Sequence, residues 1–289
     1  MKRLLMLVAA TIAAVFAIAA QASAQQASGA APRGMARVEG GTFLMGYCHD
    51  GGGLWCGSPA REVTVSGFYM DRFPVTQGEW RDVMGTRPSY FTGERDSRGN
   101  QVTGANWRNL PVESVSWFDA VEFANAMSLR AGLTPAYAIS GTGSSRVVSW
   151  NRAANGYRLP TEAEWEFAAR GGIVCQGNFV FSGSNTAGEV AWYLGNSGGR
   201  TREVGTLRPN ALGLYDMSGN VWEWVWDWFG FYPNEAQTDP AGASSGSYRV
   251  LRGGCWINSA ALVRSNRRHA FMPSDRDTFI GFRLVRPAD

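Results

Sequence analysis

From Gly172 to the C-terminus, no stretch repeats apolar residues at helical spacing over a useful length. Short aromatic runs fill it instead, parted by Gly, Asn, Ser and Pro, with Trp192, Trp222, Trp224, Trp226, Trp228 and Trp256 among them. Such a segment orders itself only by burying large rings between loops and a small sheet. With 36 Gly, 12 Trp and only 18% charged residues in 289, a disordered chain or a coiled coil is excluded. The length allows one sizeable core. The reading is an α+β, loop-rich single domain over residues 35–289 with little regular secondary structure.

The N-terminal half supplies the regular elements. Residues 35–46 alternate apolar positions around Gly40-Gly41 and read as a hairpin; residues 61–71 read as a further strand. Three helix starts carry a hydroxyl followed three residues later by an acid: Thr76 with Glu79, Ser116 with Asp119, and Thr161 with Glu164. The second helix is expected from about Trp117 to Arg130, with Gly132 as its stop, and the third after Pro160.

Met1-Lys2-Arg3, an apolar run from Leu4 to Ala20 and Ala22-Ser23-Ala24 have the form of a secretory signal peptide, residues 1–24, cleaved after Ala24. Residues 25–34 read as a linker. The expected location is the periplasm or the exterior, with no membrane span in the mature chain. Of the 27 Lys and Arg, Lys2 and Arg3 precede the cleavage site, leaving 25 against 24 Asp and Glu. That near-neutral balance gives no electrostatic reason to expect nucleic acid as partner.

Four cysteines in an exported chain invite disulfides. Cys48 and Cys56 flank a Gly-rich loop and are expected to bridge; Cys175 and Cys255 either pair or stay free. Only His49 and His269 are present, so a three-His metal site cannot be built.

Several runs, in order, resemble the sulfatase-modifying-factor family, the formylglycine-generating-enzyme fold. They include Val38-Glu39-Gly40-Gly41-Thr42-Phe43, Pro74-Val75-Thr76-Gln77-Gly78-Glu79-Trp80 and Tyr157-Arg158-Leu159-Pro160-Thr161-Glu162-Ala163-Glu164-Trp165-Glu166. Gly213-Leu214-Tyr215-Asp216-Met217-Ser218-Gly219-Asn220-Val221-Trp222-Glu223-Trp224, Arg249-Val250-Leu251-Arg252-Gly253-Gly254 and Gly281-Phe282-Arg283 complete the set. The resemblance implies a C-type-lectin-like fold.

It does not carry over the activity. Formylglycine-generating members resemble one another in a Cys-x4-Cys pair that binds copper(I); counting from Gly253-Gly254 sets Asn258 and Val263 at those positions. Neither is a thiolate, so copper is not expected. The remaining catalytic candidates are Cys255, Glu223 and Arg264. The resemblance further implies a structural calcium held by Asp216, Glu223 and the carbonyls of Gly219 and Val221. The competing reading makes Asp216 a turn cap and pairs Glu223 with an arginine.

In this family the C-terminal segment walls a substrate groove, and proteins diversified by retroelements resemble it in ending at such a Gly-Phe-Arg. The implied groove residues are Trp222, Trp256, Asn258, Ser259, Leu262, Asn266, His269, Phe271 and Phe279. The expected function is a calcium-stabilised module that binds a protein or peptide. Two alternatives are an oxidoreductase of another kind, as in the exported pyoverdine-maturation proteins that the chain resembles, and an accessory subunit without chemistry of its own.

Overall fold

The computed structural model describes residues 32, 34–46, 59–92, 106–174 and 178–288. The expected signal peptide, the linker apart from Pro32 and Gly34, the Cys48–Cys56 bridge, His49 and Cys175 lie outside them. The described residues from Ala36 onward form one compact unit.

The chain runs through β1 (Met35–Val38), β2 (Gly41–Met45), β3 (Arg61–Val65) and β4 (Phe68–Asp71), then helices α1 (Gln77–Met84) and α2 (Trp117–Arg130). There follow β5 (Tyr137–Ser140), β6 (Val147–Trp150), α3 (Glu162–Ala169), α4 (Ala187–Val190), β7 (Ala191–Trp192) and β8 (Ser218–Gly219). The last strands are β9 (Trp222–Trp228), β10 (Gln237–Thr238), β11 (Arg249–Arg252), β12 (Arg268–Phe271), β13 (Ile280–Phe282) and β14 (Val285–Pro287). After Gly172 the only described helical pieces are α4 and a 3-10 turn over Ala260–Leu262, as the aperiodic sequence requires.

All three capping boxes form. Thr76, Ser116 and Thr161 each accept from the backbone N–H three residues on, and the acid there accepts from the cap N–H. Helix α2 has the expected bounds, and past its end the Gly132 N–H bonds the carbonyl of Leu129.

Residues 35–46 do not make the expected hairpin. Strand β1 joins the sheet β1-β4-β14, whereas β2 pairs with β3 in the sheet β10-β3-β2. The chain between them runs hard against a neighbouring turn: a Cβ on Gly40 would lie 2.8 Å from both Gly67 N and Val65 O. Close backbone approach, not a tight reversal, is what the Gly-Gly pair serves.

The four-stranded sheet, in the order β12-β11-β9-β13, organises the rest. Alternation along β9 turns Trp222, Trp224 and Trp226 to one face, packed with Leu251 and Phe282 against the α2 core. Val225 turns to the other face, packed with Val250 and the α3 residues Trp165 and Phe167. Buried indole N–H groups find carbonyls, Trp117 on Val225 at 2.9 Å and Trp224 on Val115 at 3.0 Å.

Candidate functional site

The α3 side of the central sheet is a layer of buried ion pairs. In register across the strands, Glu223 lies opposite Arg252, and Arg252 opposite Arg268. Helix α3 sends down Glu162 and Glu166, one turn apart on the same face. Glu162 takes both ends of Arg268 at 2.8 and 2.6 Å. Glu166 accepts from Arg252 at 2.5 Å and from Arg170 at 2.8 Å. Glu223 is left for Arg283, just past β13, which grips it from Nε and Nη2, both at 2.7 Å. The Trp165 indole donates to the same carboxylate at 2.7 Å.

Apart from the alternative that pairs Glu223 with an arginine, which the structure shows with Arg283, these pairs are what sequence reasoning missed. The run Glu162-Ala163-Glu164-Trp165-Glu166 registered only as a cap; its signal was the i, i+4 spacing of Glu162 and Glu166, which aims both acids at one surface.

The residues expected to hold calcium have other partners in this structure. Glu223 is fully buried and accepts three hydrogen bonds, two from a guanidinium that would stand against any cation there. Asp216, at φ +55°, accepts from Gly205 N at 2.8 Å and from Asn220 Nδ2 at 3.3 Å, tying the 205 loop to its own turn. Burial pushes its carboxyl up to about 6. Among the described residues no three His, Cys, Asp or Glu converge. With Glu223 committed to Arg283, the set of Asp216, Gly219, Val221 and Glu223 does not fit a calcium ion.

Cys255 is free and buried. Its backbone N–H and its thiol both reach Asn258 Oδ1, at 3.0 and 3.2 Å, and burial raises the thiol to about 12. At neutral pH it is a protonated filler rather than a thiolate. Glu223 is equally committed, and Arg264 sits half-buried in the loop after the 3-10 turn. The three catalytic candidates therefore do not make an acid–base or nucleophilic set.

Of the nine groove residues, four come together. The rings of Trp222 and His269 are 5.4 Å apart, His269 and Phe271 5.2 Å, and Phe271 and Phe279 6.0 Å. All but Trp222 are half-buried, and Met272 beside them is 49% exposed. They run across the sheet: His269 and Phe271 lie on the edge strand β12, Trp222 begins β9, and Phe279 directly precedes β13. Leu262 and Ser259 are exposed on the 3-10 turn. Trp256, Asn258 and Asn266 are largely structural: Trp256 packs on Phe91 at 5.2 Å and donates to Thr278 O, Asn258 closes the Cys255 turn, and Asn266 is buried. Two cavities, of about 280 and 550 Å³, are lined by other residues. The expected groove is thus an aromatic row that crosses the sheet from its edge strand β12 to the start of β9 and β13.

The family model described as sulfatase-modifying factor enzyme 1-like domain matches residues 20–288. The chaperone protein LppX of Paenibacillus barcinonensis is 37% identical over 78% of this chain and 82% of that protein. The formylglycine-generating enzyme of Streptomyces coelicolor is 29% identical over 96% of this chain and 97% of its own. A match to the serine/threonine-protein kinase pkn1 of Chlamydia pneumoniae, 32% identical, takes in 87% of this chain but only 38% of that longer protein. Among solved structures, Treponema denticola variable protein 1 superposes with a TM-score of 0.77 at 33% identity, over 87% of this chain and 94% of that one. The chain belongs to the sulfatase-modifying factor family, with the formylglycine-generating-enzyme fold.

Proposed function

We propose that this protein is an exported binding module that holds a protein or peptide on the aromatic row, and not a formylglycine-generating oxidase. The observation that carries the reading is the contiguous, half-exposed set of His269 and Phe271 on the edge strand β12, Met272 just after it and Phe279 before β13, around buried Trp222. Rigid rings with one face free give large contact area at little entropic cost, and an edge strand adds unpaired backbone groups. The oxidase reading meets Asn258 and Val263 at the counted thiolate positions and a Cys255 thiol held protonated. Likeness to a protein named a chaperone supports action on other proteins. Export rests on the N-terminal leader.

Selection of a phage-displayed random peptide library on the immobilised mature protein tests this. A recurrent peptide motif is expected, with binding lost in Phe271→Ala and in Met272→Asp while the thermal midpoint stays within a few degrees. Binding indifferent to both variants, or variants that only unfold, would sink the reading. Copper or iron at one equivalent after chelation would instead favour an oxidoreductase.

A further inference from the structure

On the α2 side of the sheet, next to the aromatic row but sharing no lining residue with it, lies a cleft of about 550 Å³. Its walls are the rings of Trp117, Phe118, Trp150, Trp226 and Trp228, closed opposite by the loop 241–246. The volume suits a small organic ligand. No carboxylate lines it; three arginines do, Arg146, Arg152 and Arg249.

Arg249 is the unusual one. It is 3% exposed, with its guanidinium 3.5 Å from the Trp228 ring and 3.8 Å from the Trp117 ring. Arg158, Arg252, Arg268 and Arg283, equally buried, each hold a glutamate. Arg249 makes no such pair among the described residues: it donates to the Trp226 carbonyl, and its Nε has no partner. Neighbouring Asp227 accepts instead from Glu162 N, and burial pushes its own carboxyl up to about 8. Burial also lowers Arg249 to about 9, as expected of a cation without a compensating charge.

We propose that this cleft binds a flat carboxylate, its ring among Trp150, Trp226 and Trp228 and its carboxylate on Arg249. The Arg249 guanidinium lies against two indole rings and donates in its own plane, which favours a planar, two-point acceptor. The ring contributes stacking on the indoles. Arg146 already pairs with Glu122 at 3.0 Å, and Arg152 donates to Asp239 O at 2.9 Å. These two add positive potential at the rim without holding the ligand. The cleft shares no lining residue with the aromatic row, although Arg249 stands opposite Phe271 in register.

Calorimetric titration of the mature protein with 2-naphthoate, 2-naphthamide and acetate tests it. Naphthoate is expected to bind about tenfold or more tightly than the uncharged amide, acetate not to bind, and added salt to weaken naphthoate. Arg249→Lys should cost about tenfold, because ammonium cannot reproduce the in-plane fork. Should that variant fail to fold, Trp150→Ala at the half-exposed end of β6 should weaken naphthoate while the thermal midpoint holds. A tripeptide ending in free Phe that outbinds naphthoate identifies a peptide C-terminus as the source; the reverse order identifies a free aromatic acid. No binding of any aromatic carboxylate at millimolar concentration, equal affinity for acid and amide, or indifference to both variants would overturn the proposal.

Discussion

Glu223 and Arg283 form a bidentate pair with both side chains fully buried, Oε1 to Nη2 and Oε2 to Nε at 2.7 Å each. Arg283 also donates to the carbonyls of Asp71 and Tyr215, so one guanidinium joins β4, the 215 loop and β9. Replacing it with Met strands a buried carboxylate. Arg283→Met is expected to cost about 3–5 kcal/mol in chemical denaturation. The double variant Glu223→Gln with Arg283→Met should recover a good part of that loss, since no bare charge then remains.

Cys255 makes a chemical prediction. With its thiol near 12 and no surface exposed, it should resist alkylation at neutral pH in the native protein and react once guanidinium unfolds it. Peptide mass analysis of the labelled residue reads this directly. Cys255→Ser should fold, because its hydroxyl can make the same bond to Asn258 Oδ1.

Stability should fall as pH rises from about 4 to 8. Burial foremost, with Glu79 beside Asp71 and Glu162 beside Asp227, pushes both carboxyls to about 8; burial pushes Glu113 to about 7. Unfolded carboxylates titrate near 4, so across that window the native state binds more protons and loses stability with rising pH. Asp71→Asn and Asp227→Asn should each flatten the slope. Glu162 works the other way: despite desolvation, Arg268 and Arg252 hold it low, so its contribution disappears below about pH 4. Denaturation midpoints across pH should therefore peak near about 4.

The caps are unequal. Thr161 fixes Glu164, which also holds buried Arg158 at 2.7 Å on both sides, whereas Thr76 and Glu79 are exposed. Thr161→Ala should cost about 1–2 kcal/mol and Thr76→Ala about 1 or less, by urea denaturation.

Much of the frame was legible because its causes are local. A cap is decided within four residues, so Ser116 and Asp119 announce α2 without reference to anything distant. The aromatic run over residues 222–228, read from sequence only as rings buried between loops and a small sheet, is in the structure a strand with two unlike faces. The hairpin at 35–46 failed because Gly40 answers to Gly67, a neighbour that local spacing cannot reveal.

The candidate site was less legible. Nine groove residues were named from their segment, yet only a subset shares a surface. Asn258 turned inward to Cys255, and Trp256 toward Phe91. The cleft over Arg249 draws its walls from residues 117 to 249, so no window of sequence contains it.

The sequence by itself determined the helix starts and the family. Which charge meets which was decided only in three dimensions. Glu223 stands in register with Arg252, but α3 takes Arg252 with Glu166 and Arg268 with Glu162, leaving Glu223 to Arg283 and Arg249 to the indoles. In a dry interior, geometry ranks partners. A guanidinium pairs with the carboxylate whose backbone is held at the right distance and angle, and tertiary packing alone sets that.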